Sequence, residues 1–151
     1  MTLNEPDHPL RGIPPGDPRS ACDEPPPPAL RIAVHQFNAH EFFECHETLE
    51  ALWNAEPGPR RILYKGILQI GVGCYHLLRG SYRGSLIKLQ TGADYLVAFE
   101  PACAGVEVSR LIASARRLRQ AIVALGPDRM REVDLALIPT VHLHETREKE
   151  P

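Results

Sequence analysis

The sequence predicts an all-α fold: a single bundle of about five helices behind a disordered, proline-rich head. Three observations lead there. Apolar residues recur at three- and four-residue steps from Leu30 to Leu125. Pro57-Gly58-Pro59, Gly80, Pro101 and Gly126-Pro127 punctuate that pattern at helix-length intervals. No alternating stretch is long enough to build a sheet.

The bounds agree with one soluble domain. A chain of 151 residues can bury a sizeable core, and 43% hydrophobic with 24% charged residues is ordinary for a globular protein. A net charge of -2 gives no electrostatic footprint for nucleic acid, and none is expected as a partner. No apolar run reaches the roughly 18 residues of a membrane span, so no membrane association is expected. The N-terminus lacks a basic-then-apolar leader pattern. Four widely spaced cysteines (Cys22, Cys45, Cys74, Cys103) include no Cys-x-x-Cys pair. That argues against a disulfide scaffold or a cysteine zinc site and for a reducing, cytoplasmic location.

Residues 1–28 hold Pro6, Pro9, Pro14, Pro15, Pro18 and the run Pro25 to Pro28 with few large apolar side chains. Such a stretch cannot bury enough surface to offset its ordering entropy, and it reads as a disordered tail. The bundle domain follows over 29–126. Ala29 to Asn38 is a short helix, with Leu30, Val34 and Phe37 on one side. Asn38 reads as the N-cap of a second helix, with Glu41 three residues on and a Phe37/Phe42 staple. This helix runs to about Ala55. Leu52, Cys45, Leu49, Phe42 and Trp53 form its apolar arc; His46 lies inside the edge of that arc and Glu50 just beyond it.

A third helix runs from Pro59 to about Arg79 and stops at Gly80. It is apolar almost all round and should be the central one. Gly66, Gln69, Gly73, His76 and Gly80 recur down one stripe, which expects another backbone packed closely against it. Ser81 can cap a fourth helix to about Phe99. A fifth covers 107–125, where Leu111, Ala115, Leu118, Ile122 and Leu125 form a seam for the bundle or for a second copy of the chain. Residues 127–151 read as an irregular tail with a short extended piece at Ile138 to Leu143.

Phe37-Asn38, Glu41-Phe42-Phe43-Glu44-x-His46-Glu47-x-Leu49-Glu50-x-Leu52-Trp53, Gly66-x-x-Gln69, Tyr75-His76-x-x-x-Gly80 and Gly84 together resemble a small prokaryotic helical family, domain of unknown function 309. The resemblance covers about residues 30–105. It implies an all-helical bundle and no established activity.

The candidate site is the polar set His46, Glu47, Glu50, Trp53, Gln69 and His76 between the second and third helices. On one reading Glu50 pairs with His76, Gln69 bridges them, and His46 bonds a neighbour, a buried network that fixes helix register within a binding or assembly module. On the other, His46 and Glu50 at i and i+4 join His76 to hold a divalent metal (zinc, manganese or iron). Glu47 would then be the general base of a hydrolase-type enzyme. Neither the zinc-peptidase His-Glu-x-x-His pattern nor the di-iron Glu-x-x-His pattern is present. Smaller signals read as structural. Arg79 and Arg83 beside Ser81 are expected to be solvated, His142 and His144 to lie in a solvated tail, and Trp53, Cys45 and Cys74 to be core.

Overall fold

The computed structural model describes residues 17–144. The proline-rich head at 1–16 and the charged end at 145–151 lie outside the described residues. Five helices run in chain order: α1 (Pro28–Asn38), α2 (Phe42–Ala55), α3 (Arg60–Leu78), α4 (Tyr82–Leu96) and α5 (Val108–Leu125). Each packs on the next, and no strand forms among the described residues beyond isolated bridges. The all-helical expectation holds, with helix limits within a few residues of the sequence reading.

Helix α3 is the central element because almost every side is apolar: Ile62, Leu63, Tyr64, Ile67, Ile70, Cys74 and Leu77 are all buried. Its glycines let α4 approach. A methyl group on Gly66 would stand 2.6 Å from Leu96 Cδ2, and one on Gly73 would stand 2.9 Å from Leu89 Cγ. The small-residue stripe therefore marks the α3–α4 contact. Gly80, at φ 80°, ends α3: its N–H donates to Leu77 O at 3.0 Å and the Ser81 N–H to His76 O at 2.8 Å, a Schellman closure.

The α1–α2 junction differs from expectation. Helix α1 closes in the same way, but through His40 at φ 62°, with Glu41 N–H donating to Gln36 O at 2.9 Å. Asn38 is thus the last residue of α1 and not the N-cap of α2. Its carboxamide instead clasps the C-terminal segment, donating to Val141 O at 3.0 Å and accepting from Val141 N–H at 2.8 Å. Phe37 and Phe42 still meet, edge to face, at 5.3 Å.

Residues 17–27, expected as part of the tail, are docked. Cys22 is disulfide-bonded to Cys103, 81 residues away, so the expectation of no disulfide is corrected. Sequence spacing says nothing about distance in the fold, and the α4–α5 connection carries Cys103 to the N-terminal segment. One Arg19 Nη donates to the carbonyls of Phe99 and Glu100 at 2.9 Å and of Ala102 at 3.0 Å. Cys22 O accepts from Ala104 N–H at 2.8 Å.

The described part of the C-terminal segment forms two 3-10 turns, Met130–Glu132 and Leu135–Leu137, and packs on the bundle through buried Met130, Val133, Ile138 and Val141. Leu111, Ala115, Leu118 and Ile122 of the α5 seam are buried within this chain. No helix among the described residues is long and apolar enough to cross a membrane.

Candidate functional site

The start of α2 and the end of α3 border an open cleft of about 280 Å³ lined by Phe42, Phe43, His46, Val72, Tyr75 and His76. The apolar arc of α2 supplies Phe42 and, at its edge, His46. Phe43, the residue after Phe42, lies off that arc and is 61% exposed, the most exposed large apolar side chain among the described residues. Val72, Tyr75 and His76 are one turn of α3 facing it. His76 is steadied from behind by α4: Gly84 leaves so little room that a methyl there would stand 2.8 Å from His76 Cγ. Both imidazoles are half-buried, and neither makes a side-chain hydrogen bond among the described residues.

The rest of the expected polar set is distributed differently. Glu47 and Glu50 are both exposed. No ion pair joins Glu50 to His76 among the described residues. Gln69 is half-buried, with Oε1 buried and unpartnered. Among the described residues no three His, Cys, Asp or Glu side chains come together to hold a metal ion. The reason is helical phase: Glu50 sits past the edge of the α2 arc, so it turns to solvent while His46 turns inward.

Trp53, expected as core, is a half-buried platform at the other end of the α2–α3 contact. Lys65 Nζ stands 4.8 Å and the Arg61 guanidinium 5.7 Å from its ring centroid; Lys65 also lies 5.4 Å from the Tyr95 ring. Sequence reasoning missed Phe43, Val72 and Tyr75 as cleft residues. Phe43 carried the one usable signal, a phenylalanine off the apolar arc.

Cys45 and Cys74 lie buried beneath the cleft, as expected for small apolar core groups. Burial pushes the Cys45 thiol up to about 12. Burial, and then the neighbouring Cys45, push Cys74 up to about 12. Folding therefore favours the protonated thiols. Their contribution to stability is complete below the ordinary thiol value of roughly 8.5 and should fall by about 1.4 kcal/mol per pH unit per thiol as pH rises toward the folded values. Alkylation at pH 8 should be slowed about a thousandfold relative to a free thiol. A thiol count on the native oxidised chain checks this; rapid labelling of either cysteine would contradict the buried environment.

A profile of the family described as "Domain of unknown function (DUF309)" matches residues 30–87, which span α1, α2, α3 and the first turns of α4. All the residues lining the cleft fall inside that range. No curated protein and no solved structure matches the chain.

Proposed function

We propose, from a chain whose residues 30–87 carry the DUF309 segment, that the protein is a binding module whose ligand seats in the α2–α3 cleft. The description of that family assigns no activity, so the reading rests on geometry. The observation that carries it is the pairing of a largely exposed Phe43 with two half-buried imidazoles that make no side-chain hydrogen bond among the described residues, in one apolar cleft. Apolar walls with a few convergent polar groups are what small-molecule sites are made of. Phe42, Phe43, Val72 and Tyr75 favour a flat apolar or aromatic body. His46 and His76 can each donate or accept one hydrogen bond and would orient a polar edge.

Binding is favoured over catalysis because, among the described residues, no carboxylate backs either histidine. A general base or a metal ligand is normally held and tuned by such a partner, whereas Glu47 and Glu50 lie in solvent.

The test is a titration of small aromatic compounds bearing one acceptor group, followed by amide chemical shifts. Shifts should centre on Phe43, Val72 and Tyr75. Val72→Trp, which fills the cleft from an already half-buried position, should weaken binding by about tenfold or more, since a filled pocket forfeits the contacts it offered. Shifts centred elsewhere, or binding unchanged in Val72→Trp, would sink the reading.

A further inference from the structure

A second cavity, of about 290 Å³, lies between α5 and the C-terminal segment. Its character is opposite to that of the cleft. Arg110, Ser114 and Arg117 reach it from α5 at i, i+4 and i+7, one face of the helix. Thr140 and His142 reach it from the extended segment at i and i+2, again one side. Leu137 and Ile138 form part of its lining. Among the described residues, none that lines it carries a carboxylate.

That segment is fixed in place. Glu107 N–H donates to His142 O at 2.9 Å, His144 N–H donates to Gly105 O at 2.9 Å, and Asn38 clasps Val141. Thr140 and His142 are thereby held opposite α5 before anything binds, so His142 is part of a built wall and not of a solvated tail. Exposed His144 does not line the cavity.

Charge points the same way. Helix α5 contains four arginines and no acidic residue. Arg119 is spent on Leu86 O at 3.0 Å, and Arg110 is partly offset by Glu107 at 3.2 Å. Arg117 has no ion pair among the described residues.

We infer that this cavity binds a phosphorylated small molecule, its phosphoryl oxygens held by Arg117, Arg110 and the Ser114 and Thr140 hydroxyls. The Arg117 fork, the Arg110 guanidinium that Glu107 only partly offsets, and the flanking hydroxyl donors match a tetrahedral oxyanion. Leu137 and Ile138 offer apolar surface beside that donor set for the organic part of an ester. The site is independent of the α2–α3 cleft.

The experiment follows amide shifts of the full chain at fixed ionic strength while inorganic phosphate, and separately phenyl phosphate, is added. Saturable shifts centred on Ser114 and Thr140 are expected, with the ester binding more tightly. Arg117→Gln should weaken binding about tenfold or more, through loss of charge-assisted bonds. Arg116→Gln, an exposed arginine outside the cavity, should leave binding unchanged. Both substitutions are at exposed positions and should leave the fold intact, which unchanged shifts in the α3 core would verify. Equal affinity for the two probes would assign the site to the free ion. Shifts that never saturate, or that fall equally in both variants, would overturn the site and leave only a diffuse ion atmosphere around α5.

Discussion

Replacing Cys22 and Cys103 together by serine is expected to cost about 4 kcal/mol, the chain-entropy value for a bridge closing a loop of this length. The bridge joins residues 81 apart, so it removes many open conformations from the unfolded chain. The two segments are also held together by other bonds: three from Arg19 and one between Ala104 N–H and Cys22 O. Those bonds also predict a graded outcome. The variant should stay folded, with its melting temperature lowered by about 10 °C or more. The loss should appear also when the parent chain is reduced. Denaturant unfolding of the parent, with and without reductant, and of the double variant checks both points. Equal stability in all three, or peptide mapping that finds both thiols free in the oxidised protein, would remove the staple from the account of this fold.

Gly92→Leu should be the most damaging single change at the α3–α4 contact, by about 3 kcal/mol. A Cβ there would stand 2.9 Å from Gly66 O and from Ile70 N, both backbone atoms, and 2.6 Å from Ile70 Cγ1. Backbone in the middle of a packed helix cannot rotate aside, so the two helices must separate, and their separation opens the core on both sides. Gly71 is the control. A Cβ at Gly71 would meet the Phe37 ring at 3.5 Å, ordinary contact. Gly71→Ala should therefore be neutral, or stabilising by up to about 1 kcal/mol through helix propensity. Comparing the two by thermal or denaturant unfolding separates close approach from a general intolerance of side chains at buried helix glycines. If Gly92→Leu proved as harmless as Gly71→Ala, the helices could not be packed as closely as described.

The α3–α4 contact was legible in the sequence for a clear reason. Glycine lowers helix stability by roughly 1 kcal/mol per residue, so Gly66 and Gly73 within an apolar helix need a compensating neighbour. The junction after α1 was not legible. A Schellman closure through His40 uses a residue that rarely adopts positive φ, and Asn38 followed by Glu41 imitates a capping box. Only the partner at Val141, 103 residues on, reveals what the Asn38 side chain does.

The site shows the same division. Periodicity alone put His46 on the inner edge of α2 and His76 on a packed face of α3, and both line the cleft. It could not assign Glu50, because a residue at the rim of an apolar arc turns inward or outward according to how far apart two helices stand. It could not pair Cys22 with Cys103, or carry His142 to Arg117, because those distances arise only when the loops close.

The sequence by itself determined the helices, their buried faces and the central place of α3, since each follows from local spacing and the need to bury apolar surface. Tertiary structure decided the disulfide, the docking of residues 17–27, the exposure of Glu47 and Glu50, and the two cavities. All of these depend on the separation and tilt of whole elements, which no local pattern encodes.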